Sequence, residues 1–548
     1  MKNPKSNLSA NQSAFFDSGL NEYTGDWGTP QVVHLLKRTL FGASINSINY
    51  FKAKTMSEAV DELLTETLAP STFPLNNYNV DGYVDPTGVA AWQTWINASL
   101  ILSDDELNAK RLNSLQLWWM GQLLNEQGSI HEKITLFWHN HFATNMYKDA
   151  TIRARFWYDH YLTLRKNALG DFKKMVKEIT VDPAMLYFLN GNLNKKESPN
   201  ENYGRELQEL YTQGKGIDSK YTEDDVRAAT RVLTGHTVRE DNFTYFFDAG
   251  EHDADNKEFS SYYANQVVTG KTGEPGATEV DEMLGIFFNT DECAKFICRK
   301  IYRFFIYYVI DDAIEENVIK PLADIFRSSN YNIKSVLSAL FKSEHFYDLV
   351  YSSACIIKSP IDFIVGLCRE FDVKIPGASD AESQYDAWSV FFQQTAVLQQ
   401  EIGGIPEVAG WYAYYLAPTY HELWINSVTY TQRNIFTDMM IADGITMNTA
   451  KVAIDPLSFA AQLPNPEDPN DLISDSLTVL FRYPVSEASK NFMKKSVLLS
   501  GQTNDYYWTT AWQNYINNPT DDMARNIVSS RLKSLYKYLM NLAEYHLS

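Results

Sequence analysis

His139 and His141 stand one residue apart in LFWHNHFATN, and His252 precedes Asp253 in GEHDADNK. Imidazole is a common ligand for divalent metals, and a neighbouring carboxylate can add a ligand or orient the ring. Between the two motifs, NENYGRELQELYTQG puts Asn202 and Glu206 four residues apart, on one face of a helix, with Arg205 in register with Glu201 and Glu209. The chemistry that suits this set is metal-assisted hydrolysis of a polar or anionic substrate. His139, His141 and His252, with Glu206 or Asp253, would hold a divalent ion and polarise water. Glu206 would be a ligand or general base, and Arg205 would fix an anionic group through its planar fork.

Each assignment has a structural alternative. Residues two apart on a helix diverge by about 200 degrees, so His139 and His141 share an ion only if the helix ends near Trp138. Otherwise they are hydrogen-bonded core histidines. The Glu201, Arg205 and Glu209 series also fits a surface ion-pair ladder worth a few tenths of a kcal/mol per pair. Asp253 fits an Asx-type turn. On the alternative reading, the polar cluster is a buried network in a non-catalytic binding or assembly protein.

The elements that carry these residues are mostly helical by period. In GTPQVVHLLKRTLFGAS, Thr29 is placed to cap a helix, Pro30 to start it and Gly42 to close it, with Val33, Leu36, Leu40 and Phe41 as its apolar stripe. Leu107 to Glu126 forms a long amphipathic helix. YTEDDVRAATRVLTG opens on a capping box, Thr222 and Asp225. Helices are expected at Asp291 to Tyr308, Glu315 to Ser328, Ile333 to Lys342, Ser359 to Phe371, Ala387 to Leu398 and Asn526 to Ala543. FTYFFDAG changes to a period of two and turns at Gly250, which predicts a small β-hairpin near Phe243 to Tyr263. PEVAGWYAYYLAPTYHELWINS is an aromatic loop suited to the wall of a pocket, with Trp411 and Trp424 its notable residues.

At HLLKRTLFG, LFWHNHFATN, DPAMLYFLNGN, NENYGRELQELYTQG, YTEDDVRAATRVLTG, GEHDADNK, SPIDFIV and IPEVAGW, the chain resembles the bacterial family catalogued as domain of unknown function 1800. The resemblance covers most of the chain in order. It implies that the Asn-Glu-Asn and Arg-Glu grouping around Glu206 is shared, whereas His236 stands where the family usually carries Trp. It also implies, through gene neighbourhood, a partner resembling the alkaline phosphatase and sulfatase superfamily.

At 548 residues and 45% hydrophobic, the chain can bury a large core. A net charge of -20, spread along the sequence, argues against nucleic acid or an anionic membrane as partner. No apolar run reaches the roughly 18 to 20 residues of a membrane helix. No signal-peptide pattern is seen, so the chain reads as soluble and cytoplasmic, or periplasmic or secreted if a leader was removed. Cys293, Cys298, Cys355 and Cys368 match no metal or redox spacing and read as reduced packing residues. No nucleotide, esterase or zincin motif is present. The expected fold is mainly α: a large helical domain over residues 1–463, with the candidate site at 129–257, and a helical C-terminal module at 464–548 packed on it. A third, weaker function would use the aromatic residues as a carbohydrate cleft.

Overall fold

In a computed structural model describing residues 19–67, 69–80, 82–125, 128–148, 152–239, 241–348 and 356–548, the chain is mainly α-helical, with three small two-stranded sheets. Helix α1 (Thr29–Thr39) is capped by Gly28, one residue before the expected cap, and its N–H donates to Gln31 Oε1 at 3.2 Å. The helix ends at Leu40, and Phe41, with φ +68°, makes the left-handed exit expected of Gly42. Gly42 serves packing instead. A Cβ at Gly42 would lie 2.7 Å from the Cα of Gly366, so this close approach of two backbones admits no side chain.

Helix α2 (Asp105–Asn125) runs along the buried centre. Helix α3 (His131–His141) is buried over its whole length and packs on α4 (Ala154–Asn167). Removing Ile134, Phe137 and Trp138 of α3 from water stabilises the fold by roughly 1.5–3 kcal/mol for each large apolar side chain. Helix α5 (Asn202–Glu206) continues without a break as a π-helical segment, Leu207–Thr212. Gly214, at φ +76°, stops it, and a Cβ there would meet Phe296 at 2.5 Å. Helix α6 (Glu223–Val232) has the expected capping box. Asp225 N–H donates to Thr222 Oγ1, and Thr222 N–H donates to Asp225 Oδ2.

The strands pair differently from the hairpin expected at Phe243 to Tyr263. Strand β1 (His236–Val238) pairs antiparallel with β2 (Tyr245–Phe247), so the FTYFF stretch folds back on the segment before it. Strand β3 (Lys257–Glu258) pairs with β4 (Val267–Val268). A third hairpin, β5 (Ile445–Met447) with β6 (Ala450–Val452), turns through Asn448 at positive φ. Strands of two or three residues are too short to carry a readable period.

Helices α7 (Asp291–Phe305), α8 (Pro360–Glu370), α9 (Ala381–Val397) and α10 (Ser427–Ala442) supply the remaining scaffold. After them, α11 (Pro469–Leu480) and α12 (Asp522–Met540) pack against the earlier helices. Polar links join the two parts: Lys37 Nζ donates to Leu480 O at 2.8 Å, and Tyr545 Oη donates to Glu370 Oε2 at 3.0 Å. Cys293, Cys298 and Cys368 are buried free thiols, and Cys355 lies outside the described residues. Among the described residues, no helix is long and apolar enough to cross a membrane.

Candidate functional site

Helix α7 has two working faces. Cys293, Ala294, Ile297, Cys298, Ile301 and Phe305 are buried in the core. Phe296, Lys300, Arg303 and Phe304, at spacings i, i+4, i+7 and i+8, form a second stripe along one wall of a cavity of about 260 Å³. The end of α3 contributes Phe137, Asn140 and His141, the π-helical segment contributes Glu209 and Leu210, and the start of α8 contributes Ser359 and Asp362. The aromatic loop supplies the opposite wall with Tyr414, Tyr415, Tyr420, His421 and Trp424. Trp411 lies behind that wall, where its backbone N–H donates to Asn140 Oδ1 at 2.9 Å.

The π-helical segment fixes two of the cavity's polar groups. A helix end leaves carbonyls without intrahelical partners. Here Tyr211 O lies 3.2 Å from His141 Nε2, and Leu210 O accepts from Lys300 Nζ at 3.3 Å. Because a carbonyl only accepts, His141 carries its hydrogen on Nε2. Its Nδ1 lone pair then accepts from Lys300 Nζ at 3.0 Å. Burial, followed by the nearby Lys300, holds the His141 imidazole well below its ordinary pKa, so the ring is neutral. Burial, reinforced by Arg303, brings the Lys300 ammonium down to about 7.

Charge in the cavity is unbalanced. Glu209 is paired with Lys215 and approached by Arg205, and Asp362 is bonded to Lys133 at 2.6 Å and Ser359 at 3.0 Å. Both wall carboxylates are therefore engaged. Arg303 donates from Nε to Tyr308 O at 3.4 Å and stands 5.5 Å from the Tyr420 ring, while Lys300 has the two partners above. Neither cation makes an ion pair among the described residues. His421 adds a neutral donor. Its Nδ1 accepts from Ile357 N–H at 3.1 Å, so Nε2 carries the hydrogen, and that nitrogen has no partner among the described residues. Burial and Arg38 hold this imidazole down to about 4.

Of the six residues singled out by sequence, only His141 lines this cavity. Helix α3 continues through His141, so His139 points elsewhere, between Trp119 and Trp411, with ring centroids 4.9 and 5.8 Å away. Burial, then His160, brings His139 down to about 3. The condition for a shared ion, an end to the helix near Trp138, is not met. His252 Nδ1 lies 2.8 Å from Thr234 O. Its Nε2 lies 3.1 Å from Glu279 Oε1 without hydrogen-bond alignment. Asp253 forms a two-point pair with Arg231 at 2.6 and 3.1 Å and accepts from Asp255 N–H, the Asx-type turn.

Arg205 bonds Glu201 at 3.0 Å and approaches Glu209 at 3.8 Å, as in the ladder, and also reaches across to Glu223 of α6 at 2.7 Å. Glu206 is half-buried, and burial followed by Glu209 raises its carboxyl. Arg205 meets α6 at Glu223 and Asp253 meets it at Arg231, about 12 Å apart along the axis at 1.5 Å per residue. Among the described residues, no group of three or more His, Cys, Asp or Glu side chains forms a ligand set for a metal ion. Lys300 and Arg303 were missed because α7 reads as scaffold. The signal was two basic residues inside an aromatic stripe.

A family model described as "Protein of unknown function (DUF1800)" matches residues 34–547. No curated protein and no solved structure shows a significant match to the chain.

Proposed function

The chain belongs to that family, and we propose that it binds a small organic anion with an apolar body in the cavity between α7 and the aromatic loop. One observation carries this reading: Lys300 and Arg303 face an aromatic-walled space with no carboxylate among the described residues paired to either. A half-buried cation without a counter-charge carries part of the cost of desolvation, and a ligand anion offsets that cost while its apolar part covers Phe296, Phe304 and Trp424. The volume, about 260 Å³, falls just below the range of ligand pockets, roughly 300 to 1,000 Å³, which restricts the ligand to a small one. A molecule the size of an arylalkyl carboxylate or phosphate fits. Metal-assisted hydrolysis by His139, His141 and His252 finds no support in this geometry, because the three rings occupy separate environments.

The test is calorimetric titration with 3-phenylpropionate, phenyl phosphate and the neutral 3-phenylpropanol. At least one anion should bind more tightly than the alcohol by about tenfold, the equivalent of about 1.4 kcal/mol. Arg303→Gln should remove about the same factor. Equal binding of acid and alcohol, or unchanged affinity in the variant, would overturn the reading.

A further inference from the structure

We propose that Lys300 is a reactive amine, and that the cavity captures a 2-oxo acid with an aromatic or branched tail as an imine on its Nζ. The inference rests on the anion-binding reading and adds a chemical step to it. Three placements support it. Lys300 and Arg303 are three residues apart on α7, so they are neighbours on one helix face, with Cβ atoms about 5–6 Å apart. A ligand whose carboxylate meets Arg303 therefore brings an adjacent carbonyl carbon to Lys300. His141 Nδ1 lies 3.0 Å from the same Nζ with its lone pair directed at it, because Nε2 is engaged with Tyr211 O. Finally, the walls are aromatic, so water is displaced by an apolar tail, and dehydration to the imine proceeds in a drier space.

A lysine serves as a nucleophile when burial and a second cation favour its neutral form, and both conditions hold at Lys300. The step balances within the site. The Nζ lone pair attacks the carbonyl carbon and the C=O π pair moves to oxygen. A proton leaves nitrogen for His141 Nδ1, which passes it to the alkoxide oxygen to give the neutral carbinolamine. The nitrogen then forms the C=N bond as the C–O bond breaks, and its second hydrogen passes by way of His141 Nδ1 to the departing hydroxyl, which leaves as water. Amine and ketone give imine and water, and no oxidant, reductant or further reactant is consumed. By this account Lys300 and His141 are catalytic residues, and Arg303 sets the orientation.

The full chain is incubated with phenylpyruvate, reduced with borohydride and digested, and the peptides are weighed. The expected result is one reduced adduct, mapped to Lys300. Lys300→Arg keeps the charge and removes the primary amine, so it should lose the adduct, with an unchanged circular dichroism spectrum reporting that the variant is folded. Arg303→Gln should lower the rate of trapping by about tenfold. If 3-phenylpropionate binds but phenylpyruvate gives no adduct at Lys300, the amine has no such role and the anion-binding reading stands. If neither compound binds, both fall. An adduct on other lysines alone also overturns the assignment.

Discussion

Lys37 is buried and Lys300 is half-buried in one fold, and they are treated in opposite ways. Lys37 bonds Glu370 Oε1 at 2.6 Å and Leu480 O at 2.8 Å, with Lys358 at 3.5 Å from the same carboxylate and Tyr545 on its other oxygen. Burial pushes the Glu370 carboxyl up, yet Lys358 and Lys37 outweigh it and hold it below the usual carboxylate range. Burial brings Lys37 down to about 7 against the pull of Glu370, as far as Lys300 is brought down. Every charge there has an opposite neighbour. At Lys300 the neighbours are a neutral imidazole, a carbonyl and a second cation, and the space beside them is open. The difference separates a fully buried charge used to join helices from a half-buried one at a cavity wall, which has no counter-charge among the described residues.

The comparison breaks most sharply at Glu370. Glu370→Gln leaves Lys37 and Lys358 buried without a carboxylate, and should cost about 3–5 kcal/mol in urea denaturation. Lys300→Met breaks no ion pair and places an apolar chain in an aromatic stripe, so the same measurement at pH 7 should show a loss of no more than about 1 kcal/mol, or a gain. Equal losses in the two variants would remove the distinction.

A pH series sharpens it. Lys300 has a folded value of about 7, below an unfolded value of about 10.4. Between these values the unfolded chain holds the extra proton, so stability from this group rises with pH, by at most about 1.4 kcal/mol per unit, and is flat below about pH 7. Measured as wild type minus Lys300→Met, the rise should appear between pH 7 and 9 on these same values. A flat difference would mean that Lys300 stays an ordinary ammonium.

The smallest effect concerns Glu206. Its carboxyl is raised by burial and Glu209 and does not line the cavity, so Glu206→Gln should shift stability by only a few tenths of a kcal/mol, toward stabilisation. Affinity for 3-phenylpropionate should be unchanged, and a loss of tenfold or more would bring Glu206 back into the site.

Local order was legible in the sequence where its cause is local. Thr222 and Asp225 close a capping box within three residues, Gly214 stops a helix by its own φ, and apolar periods of 3.6 place helices at α7, α8 and α12 within a few residues. The family resemblance, too, needed only the order of motifs, and the match over residues 34–547 agrees with it. What the sequence left open was the length of α3 past Trp138, on which a shared ion depended. That length is decided by burial of the whole helix against α4 and the aromatic loop. The cavity was out of reach for the same reason. Its walls come from five segments between Phe137 and Trp424, and the tautomer of His141 is set by Tyr211, 70 residues away, and Lys300, 159 residues away. Hydrogen bonds at those separations depend on which faces pack together, and a pattern of spacing along one chain carries no term for that.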